Sequence, residues 1–206
     1  MNFTLKNIKI VFALVLAITF YVSDSFATGQ ISDTFIFKGN VYSLIGKTDG
    51  DIAHPKQFGM NPVMIHTACY RGFYASYELT DEAIILKELT LREKETNYLP
   101  ITGVKPDIDT EKNRATYKGL NIKVNFTGKI RLAKDFIKQF YIHMGFQKPT
   151  AFKTVFDITV KEGSIVEIKD RSKEMEKKRG EFKQRFESGE LRQSIEESFS
   201  LDMKLE

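Results

Sequence analysis

The first 27 residues constrain the fold most, because they decide which part of the chain has to build a hydrophobic core. Two lysines precede thirteen uncharged residues, 10–22, and Ser25 and Ala27 then supply the small residues of a cleavage site. This is the pattern of a secretory signal. The apolar run is shorter than the roughly 20 residues of a membrane-spanning helix. The sequence therefore predicts cleavage after Ala27, export to the periplasm or the medium, and no membrane association afterwards.

Cys69 is the only cysteine, so the exported part, residues 28–206, has no intrachain disulfide. In an oxidising compartment such a thiol is expected to be buried, reactive or paired with another molecule. Stability then has to come from an apolar core, to which the 17 Phe and 8 Tyr residues are suited. A chain of 179 residues is long enough to form one such domain.

Charge and motif content exclude several classes of function. The exported part has 29 basic and 26 acidic residues, interspersed along most segments, which does not indicate a nucleic-acid partner. The phosphate-binding, dinucleotide-binding, zinc-protease and nucleophile-elbow motifs are all missing from the sequence. One cysteine and three histidines offer few ligands for a transition metal. We therefore expect no cofactor and no metal site.

The chain pattern predicts one α+β domain, with a mostly antiparallel sheet packed by one amphipathic helix and a charged C-terminal helical segment. The helix is predicted over 131–144, where apolar residues recur at spacings of one, three and four. Residues 92–118 are polar and predict an irregular loop, and 171–200 predict the C-terminal segment. Alternation and turn residues predict seven strands: 34–38, 41–45, 63–68, 73–79, 83–91, 152–160 and 165–169.

Two long segments carry a resemblance to a known group of proteins. Residues 58–79 contain the sequence CYRGF, and residues 126–157 contain GKIRLAKDFIKQFYIHMGFQKPTAFKTV. In both, the chain resembles an uncharacterised family of bacterial proteins, a domain of unknown function whose members also share the opening hairpin. The resemblance implies a single domain over most of the exported chain. It implies no activity, cofactor or catalytic residue, and many members of the family lack a leader.

Five residues are the candidates for a site: His66, Cys69, Tyr70, Arg71 and His143. A thiolate at Cys69, held by His66 or Arg71, could act as a nucleophile, but a buried, inert thiol is the favoured interpretation. Arg71 could bind a carboxylate or phosphate ligand, although pairing with an Asp or Glu of the protein at a sheet edge is favoured. His143, in the last turn of the predicted helix, is favoured there by the helix dipole.

Three functions fit these observations. The first is a non-enzymatic protein-interaction or inhibitor-type protein of the cell envelope, indicated by the missing catalytic motifs and the aromatic-rich sheet. The second is a binder of a small anionic or aromatic ligand, in a pocket between the hairpins and the 131–144 helix, rimmed by Arg71 and tyrosines. The third is an enzyme with Cys69 as nucleophile and His66 or His143 as base. We expect the first.

Overall fold

A computed structural model describes residues 28–48 and 50–185 of the chain. Its elements are β1 (Thr34–Phe37), β2 (Asn40–Lys47), the 3-10 helix η1 (Pro55–Phe58), β3 (Phe73–Leu79), β4 (Ile84–Leu91), β5 (Asp107–Asp109), β6 (Arg114–Tyr117), β7 (Ile122–Val124), β8 (Gly128–Phe136), η2 (Lys138–Phe140), η3 (Pro149–Ala151), β9 (Phe152–Lys161), β10 (Ser164–Asp170) and the α-helix α1 (Ser172–Arg185). This part of the chain is mostly sheet with a single α-helix, which is the α+β class. The predicted cleavage site at Ala27 and residues 186–200 lie outside the described residues.

The ten strands found in this part of the chain form one mixed sheet. Their order is β10-β9-β8-β2-β1-β3-β4-β6-β5, and β7 pairs with the end of β4 that β6 leaves unpaired. The first strand, β1, runs parallel to β3, and the other pairs are antiparallel. The sheet is therefore larger than the predicted seven strands.

Two hairpins are closed by tight turns in which both turn residues have positive φ. Lys38 and Gly39 join β1 to β2, and Glu162 and Gly163 join β9 to β10. This backbone conformation matches the right-handed twist of a hairpin, and a glycine at the second turn position adopts it without strain. The predicted strands 34–38 and 41–45 placed this turn at residues 39 and 40, and it lies one residue earlier because Phe37 pairs with Asn40.

The predicted amphipathic helix over 131–144 is wrong. Its first half lies in β8, where Arg131 is paired with Asp157 of β9 across the sheet, and its second half contains only the short η2. The reason is that β8 is covered on both faces. Ile130 and Leu132 belong to the main core, whereas Ala133 belongs to a second cluster under α1. Burial on both faces removes the alternation by which a strand is normally recognised.

Two other segments differ from the prediction. Residues 63–68 belong to no strand, and only isolated bridges form in this region, Pro62 with Glu93 and His66 with Cys69. Residues 92–118, predicted to be an irregular loop, contain β5 and β6. Ala115 and Tyr117 of β6 are fully buried, so this segment contributes to the core despite its many charges.

The main core lies on one face of the sheet and includes residues from β1 to β4 and from β6 to β9. The β9–β10 hairpin approaches the β3–β4 turn, where the Ile165 amide donates to the Asp81 carbonyl over 3.2 Å. Phe35 stacks on Tyr77 in this core, with ring centroids 4.8 Å apart. The second cluster, on the other face, packs Met175 of α1 against Val155 and Phe152 of β9. One end of this sheet, near the start of β1 and β3, carries most of the candidate residues.

Candidate functional site

The segment 28–31 joins two loops that are far apart in the sequence, 64–70 and 141–147. Gln30 makes most of the connections: its amide donates to the Gly145 carbonyl (2.7 Å), and its side chain donates to the Thr67 carbonyl (2.7 Å). The same side chain accepts a hydrogen bond from the Tyr70 amide (3.1 Å). We call the three segments 28–31, 64–70 and 141–147 the Gln30 junction.

The Gln30 junction contains no Asp, Glu, Lys or Arg among its 18 residues. The chain as a whole is 28% charged, so about five charged residues are expected in a segment set of this size. Apart from Thr28 and Thr67, its exposed side chains are aromatic, imidazole and thioether groups: Met64, His66, Tyr70, Tyr141 and His143. Depletion of charge with enrichment of aromatic residues and methionine is the compositional signal of a protein–protein interface.

Three of the five predicted residues lie exposed on this surface. Tyr70 is the most open, with 76% of its area accessible. His66 is fixed by its own backbone, because its Nδ1 accepts a hydrogen bond from the Ala68 amide over 3.2 Å. His143 packs edge-on against Tyr141, with centroids 4.9 Å apart. His143 lies in a loop, so the predicted stabilisation by a helix dipole does not apply.

Cys69 lies directly beneath the surface and is closed to solvent. The residue is 1% exposed, and its thiol donates to the Phe73 carbonyl over 3.5 Å. Burial raises the pKa of the Cys69 thiol, and the nearby Arg71 lowers it only in part. The thiol is therefore kept protonated and out of reach, the opposite of what a nucleophile needs. The buried interpretation of Cys69 agrees with this geometry.

Arg71 forms an ion pair with Asp33 inside the protein. Its guanidinium donates to both oxygens of the Asp33 carboxylate, from Nη1 over 3.2 Å and from Nη2. The Ala75 amide also donates to Asp33, over 2.7 Å. The pair joins the segment before β1 to β3, in the middle of the sheet; the predicted position at a sheet edge is wrong. The two opposite charges offset each other, so Arg71 already has a carboxylate partner within the protein.

The surroundings of this ion pair are apolar and aromatic. The Arg71 guanidinium lies over the ring of Phe73, 4.7 Å from its centroid. Burial raises the pKa of the Tyr77 hydroxyl well above its ordinary value, with a further contribution from the Asp33 carboxylate. Arg71 Nε is buried and has no hydrogen-bond partner among the described residues. We call Asp33, Cys69, Arg71, Phe73 and Tyr77 the Asp33 cluster.

Gly72 fixes how the loop 64–70 enters β3. Its φ is +81°, a conformation that glycine alone adopts readily. A Cβ atom at this position would lie 2.4 Å from the Val63 carbonyl oxygen, a distance that atoms do not tolerate. The loop therefore folds back over its own start, which places Tyr70 on the surface and Cys69 and Arg71 below it.

The predicted ligand pocket lies between the hairpins and a helix over 131–144. That segment forms β8 and η2 instead, so one side of the predicted pocket is missing. No group of three or more His, Cys, Asp and Glu side chains in the described ranges is arranged to hold a metal ion. None of the helices in these ranges is long and apolar enough to cross a membrane.

Comparison with protein-family models, with curated proteins and with solved structures finds no match to this chain. The resemblance to an uncharacterised bacterial family therefore stays a prediction.

Sequence reasoning missed Gln30, Asp33, Met64 and Tyr141 as members of this region. Asp33 carries no local signal, since its partner is 38 residues away in the chain. The missing charge was visible in each of the three segments, but only the fold brings them together.

Proposed function

We propose that this protein is an exported, non-enzymatic domain of the cell envelope that binds another protein through the Gln30 junction. The observation that carries the proposal is an exposed, aromatic surface formed by three segments without Asp, Glu, Lys or Arg, in a chain that is 28% charged overall. Arg92 borders this surface, since its Nη1 donates to the Met64 carbonyl over 3.2 Å. The three segments themselves bring no Asp, Glu, Lys or Arg into an interface, and removing such charges from water is costly.

The rigidity of the surface supports the same proposal. Hydrogen bonds to Gln30 connect both loops, and the Asp33 cluster supports the loop 64–70 from below. A surface that is already ordered loses little conformational entropy on binding. Exposed tyrosines add to this, because they provide a large contact area with few rotatable bonds.

The interaction is tested with protein purified from the periplasm as bait for envelope extract. Wild-type protein is expected to retain a partner in stoichiometric amounts, and Tyr70→Lys or Tyr141→Lys to lose it, since each substitution places a charge in the interface. Ile108→Lys is the matched control, because Ile108 is 58% exposed on β5, outside the Gln30 junction. Equal recovery with Tyr70→Lys and Ile108→Lys would contradict the proposed site.

Export is tested separately by the mass of the protein in each cell fraction. We expect periplasmic protein that begins at Thr28, and an Ala27→Arg variant that keeps its leader, because cleavage needs a small residue there. Protein found only in the cytosol, with its leader intact, would contradict export.

A further inference from the structure

One face of the sheet carries an exposed pair of aliphatic side chains beside α1. Ile36 and Val41 are paired across β1 and β2, and their neighbours Phe35, Phe37 and Tyr42 lie in the main core. Ile36 and Val41 therefore point to the opposite face, on which α1 packs. They lie beyond this helix and are 41% and 63% exposed. We call the part of this face formed by β1 and β2 the Val41 face.

The Val41 face lies where a second helix would pack against α1. Ser43, two residues after Val41, is paired with Ala133 of β8, which belongs to the cluster under α1, and on its other side with Thr34 of β1. Strands lie about 4.8 Å apart and packed helices about 8–10 Å apart. A helix beside α1 would therefore lie about two strands further along the sheet, on β2 and β1, where Ser43 and Thr34 are small.

The chain that follows α1 leaves this helix at the same end of the sheet as Val41. The Arg171 amide donates to the Val155 carbonyl, and Arg179 Nη1 donates to the Phe152 carbonyl over 2.7 Å, so α1 runs towards the start of β9. The start of β9 is paired with the end of β8, and β2 begins beside it. Residues 188–189, Ser-Gly, permit a turn, and two antiparallel helices need only 2–5 residues between them.

The sequence of residues 186–206 suits this face in its apolar spacing and in its charge. Leu191, Ile195 and Phe199 recur every four residues, so in a helix they form one apolar stripe. The segment has six acidic and two basic residues, a net charge of −4, whereas residues 28–185 have 27 basic and 20 acidic residues, a net charge of +7. Opposite net charges favour contact between this segment and the rest of the domain.

The charges around the Val41 face agree with an acidic occupant. Asp135 is exposed at this end of the sheet, but Lys134 lies 4.0 Å from its carboxylate. Glu78 of β3 has Lys87 at 3.3 Å. Lys38, in the β1–β2 turn, forms no salt bridge within the described ranges. The two nearby carboxylates thus have lysine partners, and a lysine beside the exposed aliphatic pair is left for an acidic segment.

We propose that residues 190–200 form a helix that packs on the Val41 face beside α1, with Leu191, Ile195 and Phe199 against Ile36 and Val41. A second copy of the chain or another protein would have to bind from solution, whereas a segment on a short linker has an effective concentration of about 1 mM. This inference does not depend on the proposed function, because the Val41 face and the Gln30 junction share no residue.

The reactivity of a thiol at position 41 tests this contact in the full exported chain, purified. In Val41→Cys this thiol is expected to react with a maleimide at least about tenfold more slowly than the thiol of Val166→Cys, although Val166 on β10 is similarly exposed, at 58%. Adding Ile195→Asp should remove this protection, because the contact would then bury a charge. Adding Gln193→Asp, with the same charge on the other side of the helix, should leave the rate unchanged.

Cys69 reports whether each variant is folded, since it is 1% exposed and should stay unmodified until urea is added. The rate at position 41 should also be the same after dilution by about a hundredfold, because the segment is part of the same chain. Protection that is lost on dilution would mean that a second copy covers Val41, and equal rates at positions 41 and 166 would mean that nothing covers it.

Either of these results overturns the inference, as do equal rates in the Ile195→Asp and Gln193→Asp variants. None of them changes the recovery of a partner through Tyr70, so the failure of this inference and the failure of the proposed function are distinguishable.

Discussion

Asp33 and Asp157 each bind arginine side chains, but they stabilise different parts of the fold. Asp33 is buried, with 4% of its side chain exposed, and has Arg71 as its single charged partner. Asp157 is more open and lies between Arg131 and Arg171, which bind it over 2.5 and 3.0 Å. The first pair supports the loop 64–70 of the Gln30 junction, whereas the second joins β8 and β9 to the start of α1.

The comparison shows where this protein tolerates change. Loss of Asp33 leaves the Arg71 guanidinium, 21% exposed, without its counter-charge. Loss of Asp157 removes the partner of Arg131 but leaves Arg171 with Glu174, whose carboxylate lies 2.6 Å from its Nη1. We therefore expect the Asp33 cluster to be the more sensitive region, although both contain the same kinds of group.

The largest effect is expected for Asp33→Asn, which leaves the mostly desolvated charge of Arg71 unpaired. We expect the free energy of unfolding to fall by about 3 kcal/mol, at the low end for a broken buried pair because Arg71 is partly exposed. Urea denaturation measures this. The double variant Asp33→Leu with Arg71→Met should recover part of the loss. A loss no greater than that of Asp157→Asn would break the distinction between the two regions.

A second substitution, Gly72→Ala, tests the backbone beneath the Gln30 junction. Positive φ costs a non-glycine residue roughly 1–3 kcal/mol, and contact with the Val63 carbonyl adds to that cost. Gly39→Ala is the matched control, because its φ is also positive, at +71°, but its Cβ would meet nothing within 4 Å. We expect Gly72→Ala to have the clearly lower midpoint in urea. Equal midpoints would show that the backbone moves freely there.

The smallest effect is expected for Asp157→Asn, and it depends on pH. Burial raises the pKa of Asp157, but hydrogen bonds and charge from Arg131 and Arg171 outweigh it, so the pKa lies below its usual value. A lowered pKa contributes stability above the unfolded value of about 3.9, and this stability is lost as the pH falls through the folded pKa. We expect Asp157→Asn to lower the free energy of unfolding by about 1–2 kcal/mol at neutral pH.

Thermal unfolding from pH 7 to pH 3 checks the sign of this effect. The difference in melting temperature between wild type and Asp157→Asn should be constant at neutral pH and shrink below about pH 4, as Asp157 becomes protonated in the wild type. A difference that grows in acid would mean that the arginines do not stabilise the Asp157 carboxylate.

The sequence predicted the strands that alternate regularly and missed the strands that do not. In β3, residues Phe73 to Leu79 alternate between buried and less buried positions, and the predicted range 73–79 agrees with the strand. In β8, Ala133 is buried on the face opposite Leu132, so the apolar spacing matched a helix as well as a strand. The packing of α1 against the second face of β8 is a long-range contact, and it determines that this segment forms a strand rather than a helix.

The candidate site was predictable in its residues but not in its arrangement. Cys69, Tyr70 and Arg71 were predicted from the sequence CYRGF. In the fold, Cys69 is a buried thiol, Tyr70 is an exposed ring and Arg71 forms an internal ion pair. The partner of Arg71 and the contact between Gln30 and Gly145 depend on residues 38 and 115 positions away. Local sequence patterns carry no information on contacts of that range.

The most direct test of the central claim is photo-crosslinking in the intact cell, with a benzophenone amino acid in place of Tyr70 and, as control, of Ile108. The account predicts a discrete protein adduct from position 70, to a second copy or to another envelope protein, and none of that size from position 108. Position 70 without any protein adduct, while the protein is exported and folded, would contradict the claim that the Gln30 junction is an interaction surface.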